Sequence, residues 1–115
     1  MSKKPNPCPS EWEKIIKIIF RKASSEAYME YKKDIEKLHK PKPTRPDFKK
    51  KTTILASKYA SSEKQRITKQ HGEVKGKEFL HCFKLVEGHL ERGENEEDLE
   101  KIIQEWYDRL NKEVY

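Results

Sequence analysis

The residue types most suited to metal or nucleophilic chemistry are His81, Cys82 and His89. Structural zinc sites need four converging ligands, and their sequences usually bring two ligands within two to four residues of each other. The usual sign is a pair of cysteines at that spacing, and the two cysteines of this chain, at positions 8 and 82, form no such pair. His81 and Cys82 are adjacent, so on a helix their side chains point about 100° apart and cannot easily share a proton. We therefore expect no metal site, no cofactor and no nucleophilic pair.

The sequence predicts a binding protein and not an enzyme. None of its four glycines lies between a strand and a helix in the pattern of a phosphate-binding loop. The carboxylates alternate with lysines on the polar sides of predicted helices, where solvated charge is the usual interpretation. No spacing indicates a nucleophile, a general base or a cofactor pocket.

A basic stretch from Lys40 to Lys51 (KPKPTRPDFKKK) is the most informative segment for function. Six of its twelve residues are basic and one is acidic. At about 100° per residue, Lys51, Lys58 and Lys69 fall within a sector of about 20° on the predicted third helix, with Arg66 near it. These positions extend the charge along one side of that helix. Such a stripe is what phosphate binding requires, because each neutralised phosphate releases condensed counterions. The candidate nucleic-acid-binding residues are Lys40, Lys42, Arg45, Phe48, Lys49, Lys50, Lys51, Lys58, Arg66 and Lys69.

Phe48 is included because no helical spacing explains it as core. Its ring could anchor the connector to the core or stack on a base, and the sequence leaves both open. The basic stretch itself could also be a solvated loop, or its three consecutive lysines could serve nuclear import.

The alternative function is a protein-interaction adaptor that docks through the proline-rich connector or through the last helix. Apolar residues recur along the last helix at helical spacing, and any part of that stripe left uncovered would mark a partner surface or a homodimer interface. The partner-binding candidates are Leu99, Ile103, Trp106, Tyr107 and Leu110. We expect the stripe to be buried in the core, because a chain with 33% apolar residues can hardly leave its best helix undocked.

Charge is distributed unevenly along the 115 residues. Residues 1–85 hold 22 Lys or Arg against 10 Asp or Glu, and residues 86–115 hold 4 against 10, so the net charges are +12 and −6. A basic body predicts an acidic partner, either nucleic acid or an acidic protein surface. The two parts could instead attract each other.

The elements that position these residues are predicted to be helices without strands. A capping box at Ser10–Glu13 begins the first helix, and a change of register near Ala23–Ser25 predicts a break. A second helix then runs to His39, where prolines 41, 43 and 46 form a stiff connector.

A third helix is expected over about residues 50–70, followed by a loop or minimal strand at Glu73–Lys75. A fourth ends at Gly93, and the last runs from Asn95 to Glu113. We predict an all-α, compact bundle of four to five short helices with a proline-rich basic connector. Residues 1–9 form a flexible arm and residues 10–115 one helical domain. The predicted core includes Trp12, Ile16, Ile19, Phe83, Trp106 and Leu110.

Location and redox state follow from two further observations. No apolar run is long enough to cross a bilayer, and the N-terminus lacks the apolar run of a secretory signal. Cys8 and Cys82 are far apart in sequence, whereas small secreted domains usually carry several cysteines. The sequence thus predicts reduced thiols, an intracellular (nuclear or cytoplasmic) location and no membrane partner.

Overall fold

The computed structural model describes residues 8–92 and 99–113, and these residues form four α-helices and no strand. The helices are α1 (Ser10–Leu38), α2 (Arg45–His71), α3 (Glu73–Arg92) and α4 (Leu99–Glu113). The predicted all-helical fold is confirmed. The helices pack into a flat unit with extents of 51 × 34 × 17 Å.

Helix α1 is one continuous helix of 29 residues, so the predicted break near Ala23–Ser25 is wrong. Ala23 and Ser24 are fully buried, which shows that the small residues serve close packing against neighbouring helices. The capping box predicted at Ser10 is also wrong. Pro9 is the N-cap, and no side chain caps the helix there. At the other end His39 adopts a left-handed conformation with φ of 55°, and the amide of Lys40 donates to Asp34 O.

The connector between α1 and α2 is shorter than the proline spacing predicts. Thr44 caps α2 through a capping box with Asp47, so Pro46 lies in the first helical turn, where its missing amide costs nothing. Helix α2 therefore begins at Arg45 and not near residue 50. Its 27 residues give it a length of about 40 Å.

The α2–α3 link is a single residue, Gly72, with φ of 98°. The loop or strand predicted at Glu73–Lys75 is wrong, since α3 begins at Glu73. Gly76 lies inside α3 and packs so closely on α2 that a Cβ there would collide with Thr68 Oγ1. The four positions predicted ahead of α4, Asn95 to Asp98, lie outside the described residues.

Two aromatic clusters hold the bundle together. One joins α1 to α3, where Phe20 stacks on Phe83 with ring centroids 5.3 Å apart. The other joins the C-terminal half of α1 to α2 and α4 through Tyr31, Phe48 and Tyr107. Of the six residues predicted in the core, four are buried, and Trp12 and Trp106 pack against the core while half-exposed.

Cys8 and Cys82 form a disulfide, so the prediction of two reduced thiols is wrong. Their Cα atoms lie 5.5 Å apart although 74 positions separate them in sequence. That spacing matches disulfide geometry, and only the tertiary fold creates it. The bridge fastens Cys8, two residues before α1, to the middle of α3, which places the end of the predicted flexible arm at the core.

Two further observations bear on the predicted partners and cofactors. None of the described helices is long and apolar enough to cross a membrane. Within residues 8–92 and 99–113, no group of three or more His, Cys, Asp or Glu side chains is arranged to hold a metal ion.

Candidate nucleic-acid interface

Of the ten predicted nucleic-acid-binding residues, four bind carboxylates of the described residues, Phe48 is buried, and the other five are exposed. At the start of α2, Arg45 and Lys49 both bind Glu100 of α4, at 2.7 Å and 2.8 Å. Arg45 also donates to Gln104 Oε1 at 2.5 Å. These contacts join α2 to α4 and are called the Glu100 clamp.

The two cations of the Glu100 clamp favour the charged form of the Glu100 carboxyl. The ammonium of Lys49 and the guanidinium of Arg45 hold the pKa of the Glu100 carboxyl below its usual value, against an opposing effect of burial. The two cations are thus occupied by a carboxylate of the same chain. The sequence left open that the basic and acidic parts of the chain attract each other. At the Glu100 clamp they do, because α4 contacts the start of α2.

Two more of the predicted cations are paired within the first three helices. Lys51 binds Glu30 at 2.8 Å, and its ammonium lies 5.0 Å from the centre of the Tyr31 ring. Arg66 binds Glu63 one turn earlier on the same helix and also donates to Gln70 Oε1. Contacts between exposed charges are weak, so Arg66 could exchange its partner at little cost.

Phe48 is a core residue and not a ligand-facing ring. It is fully buried (0% exposed), stacked on Tyr31 with centroids 5.8 Å apart and in edge contact with Tyr107 at 5.9 Å. The sequence left an anchor and a stacking platform equally open, and burial decides for the anchor. We therefore remove Phe48 from the candidate interface.

The remaining predicted residues lie near the connector or along one exposed side of α2. Lys40 and Lys42 are exposed in the segment between α1 and α2. Lys50, Lys58 and Lys69 project from α2 into solvent, and none of the three binds a carboxylate of the described residues. These three lie within a sector of about 100° around the helix axis.

The side of α2 that carries these lysines has one carboxylate, Asp47, in the first turn of the helix and none from Lys50 to Lys69. The helix contains two acids, of which Asp47 belongs to the N-terminal capping box and Glu63 is bound to Arg66. Between the lysines lie small or neutral exposed side chains. We call this surface the outer face of α2, and it consists of Lys50, Ile54, Ser57, Lys58, Ser61, Gln65 and Lys69.

Four residues of this face were not predicted from the sequence, and Ile54 is the apolar one among them. Its side chain is 59% exposed and lies between two lysines, four residues from each. Its exposure could have been predicted from its position on the side of the helix opposite Ala56 and Ala60, which are small and buried. Single exposed apolar residues are common, so the sequence alone gave no reason to select it.

The five predicted partner-binding residues are mostly inaccessible. Leu99, Ile103 and Leu110 are fully buried, which confirms the expectation that the core covers the stripe of α4. Tyr107 is half-buried, and its hydroxyl donates to the carbonyl of Pro43. Trp106 is half-buried against Tyr28, with ring centroids 5.3 Å apart. The buried three cannot form a docking surface in this fold.

A second set of contacts between α4 and α1 surrounds Glu113. Its carboxylate accepts from the Tyr28 hydroxyl and from Lys32, and Arg109 also donates to it. These donors, led by Tyr28, lower the pKa of Glu113 from 4.5 to about 2. Together with the Glu100 clamp, they pair the charges of α4 with those of α1 and α2.

No protein-family model, curated protein or solved structure matches this chain.

Proposed function

We propose that the protein binds nucleic acid through the phosphate backbone, using the outer face of α2. The observation that carries the proposal is that Lys50, Lys58 and Lys69 project from one side of a helix of about 40 Å, where the one exposed carboxylate is that of Asp47 in the N-terminal capping box. Lysine ammonium groups bind phosphates as point charges, and small residues between them let a backbone approach closely. Without aromatic rings or arginine forks on this face, we expect recognition independent of base sequence.

The test compares two triple variants of equal net charge. The first replaces Lys50, Lys58 and Lys69 with alanine, and the control replaces Lys77, Lys84 and Lys112, which are exposed on α3 and α4. Binding to labelled DNA and RNA is measured by fluorescence anisotropy over a range of salt concentrations. Loss of up to three phosphate contacts should lower the slope of log affinity against log salt by about 2 to 3 on duplex DNA.

The control triple should keep the slope of the wild type and lose only a small, general electrostatic contribution. Equal losses in the two triples would show a diffuse charge effect without a defined interface. Failure of the wild-type protein to bind DNA or RNA at low salt would overturn the proposal.

The disulfide limits where this function operates. Disulfides persist mainly in oxidising environments and are rare in the cytosol and nucleus. The predicted nuclear or cytoplasmic location thus stays a prediction, and the Cys8–Cys82 bridge argues against it. Binding to heparin with none to nucleic acid would identify a sulfated polysaccharide as the polyanion.

The second candidate function is a protein-interaction adaptor, and of the five predicted partner-binding residues it would use Trp106. An open groove of about 710 Å³ lies between α1 and α4 and includes Trp106, Tyr28 and Met29, of which Met29 is 61% exposed. Partner docking dominated by such apolar surface would change little with salt, in contrast to phosphate binding. A homodimer through α4 would have to use Trp106 in this groove or the half-buried Tyr107, since Leu99, Ile103 and Leu110 are buried.

A further inference from the structure

We propose that the groove between α1 and α2 receives a base of single-stranded nucleic acid, with Ile54 as its contact surface and Lys50 and Lys58 on flanking phosphates. The inference rests on the function proposed above and specifies its ligand. The groove has a volume of about 520 Å³. Its walls come from both helices, with Tyr31 on α1 and Leu55 beside Ile54 on α2.

The apolar part of this groove is continuous, which distinguishes Ile54 from the scattered apolar residues found on any protein surface. Ile54 is 59% exposed, whereas Leu55 and Tyr31 are half-buried and connect it to the core. Tyr31 is fixed in place, because its ring packs on Phe48 and its hydroxyl donates to Asp47 O at 3.3 Å. A flat ring placed in the groove would cover apolar surface that water now contacts.

The cations are placed for the two phosphates on either side of such a base. Lys50 and Lys58 lie four residues before and after Ile54, so their Cα atoms are about 12 Å apart along the same side of the helix. Both are exposed, and neither binds a carboxylate of the described residues. Flexible lysine side chains can reach inward from these positions to phosphates that flank one nucleotide.

Two carboxylates, Glu30 and Asp47, also line the groove. Glu30 is bound to Lys51 at 2.8 Å. Asp47 accepts the amide of Thr44 in the capping box at the start of α2. Asp47 keeps its charge because the amide is neutral, so Lys50, Lys51 and Lys58 face two carboxylates in the groove lining and leave a net charge of +1, which phosphate complements.

An accessible base face requires a single strand. In a duplex the faces of the bases are covered by stacking, so a helix-bound duplex would present its phosphates to the lysines and leave Ile54 in solvent. Proteins that bind single strands combine a basic groove with apolar or aromatic contacts to the bases, and these contacts tolerate any base. The structure therefore favours single-stranded over duplex nucleic acid.

The experiment uses the full chain and two labelled DNA strands of equal length. One is an oligothymidylate, and the other is abasic at every position, so that both present the same phosphates and only the first offers bases. We expect the wild type to bind the intact strand about five- to tenfold more tightly than the abasic strand, as burial of part of one apolar side chain allows.

Replacing Ile54 with alanine should reduce that preference to about twofold or less while leaving affinity for the abasic strand unchanged. The matched control is Val74→Ala, because Val74 is 70% exposed on α3 and does not line the groove. Ile54→Leu, which keeps the apolar contact, should retain the preference. Melting curves of all three variants should match that of the wild type, because both positions are exposed.

Each outcome separates this inference from the function on which it rests. Equal binding of intact and abasic strands by the wild type would overturn the base contact and leave phosphate binding in place. An unchanged preference in Ile54→Ala would overturn the assignment of the groove. Absence of binding to either strand would overturn both proposals.

Discussion

Lys49, Lys50 and Lys51 are consecutive and chemically identical, yet they belong to different regions of the protein. Lys49 is bound to Glu100 of α4, and Lys51 is bound to Glu30 of α1. Lys50 projects into solvent on the outer face of α2. A rotation of about 100° per residue directs the three ammonium groups toward two neighbouring helices and toward water.

A run of basic residues in the sequence therefore does not show how much positive charge is accessible to a ligand. The cations at the start of α2 stabilise the contact between α2 and α4, whereas those of the outer face have no partner among the described residues. Exposed ion pairs contribute little to stability, but they do remove charge from a potential ligand surface.

The largest expected effect is that of removing the disulfide. The disulfide lies outside both the Glu100 clamp and the outer face of α2, so its removal should lower stability without changing binding. Replacing Cys8 and Cys82 with serine removes a cross-link between positions 74 residues apart. The free energy of unfolding should fall by about 4 to 5 kcal/mol if the cross-link acts on the entropy of the unfolded chain. Urea denaturation with and without a reducing agent measures this loss.

Below its melting temperature, the serine variant should bind nucleic acid as the wild type does. A parallel loss of affinity would show that the bridge positions the outer face of α2. A wild-type protein whose stability is insensitive to reductant, and whose mass shows two free thiols, would contradict the disulfide itself.

An intermediate effect is expected on opening the Glu100 clamp. Glu100→Gln removes the charge that binds Arg45 and Lys49 while keeping the size of the side chain. The exposed position limits the loss of stability to about 1 kcal/mol. Because two cations are released, affinity for nucleic acid should rise, and thermal melting with anisotropy titration measures the two effects.

Glu105→Gln is the matched control, because Glu105 is exposed on the same helix and its replacement changes the net charge by the same amount. Equal gains of affinity in the two variants would show that net charge alone is responsible. In that case the cations of the clamp would not differ from other lysines as ligands for phosphate.

The smallest effect is a dependence of stability on pH through Glu113. Its pKa in the folded protein is lowered from 4.5 to about 2 by the Tyr28 hydroxyl, Lys32 and Arg109. A carboxyl whose pKa is lowered by folding stabilises the fold at pH values above its pKa in the unfolded chain. This contribution is lost as the pH falls from about 4.5 to about 2. Glu113→Gln should therefore flatten the dependence of the melting temperature on pH in that window.

High salt should shrink this difference, because the contacts of Glu113 are exposed to solvent. Melting curves between pH 6 and pH 2.5 at two salt concentrations provide the measurement. If Glu113→Gln and the wild type lose stability in parallel at low salt, the acid sensitivity comes from other carboxylates.

Several elements of the fold were predictable because they depend on local patterning. The stripe of α4 predicted both the helix and its burial, and Leu99, Ile103 and Leu110 are fully buried. Predictions that used one type of residue as a marker were less successful. Serines at 24 and 25 predicted a break, yet Ser24 is a small buried residue within a continuous α1.

The candidate interface was predictable only in part, for the same reason. The sector of Lys58 and Lys69 follows from helical geometry and lies at the surface in the structure. The pairing of Lys51 with Glu30 depends on how α1 packs against α2, and no spacing along the chain records it. Ile54 is exposed for the complementary reason, since it faces away from the buried Ala56 and Ala60.

The sequence by itself determined the all-helical class, the burial of the last helix and the basic character of the central region, because periodicity and composition are local properties of the chain. Tertiary structure alone decided that Cys8 meets Cys82 and that Glu100 neutralises Arg45 and Lys49. It also decided that Phe48 lies in the core. These contacts join residues far apart in sequence, and only the packing of whole helices brings such residues within bonding distance.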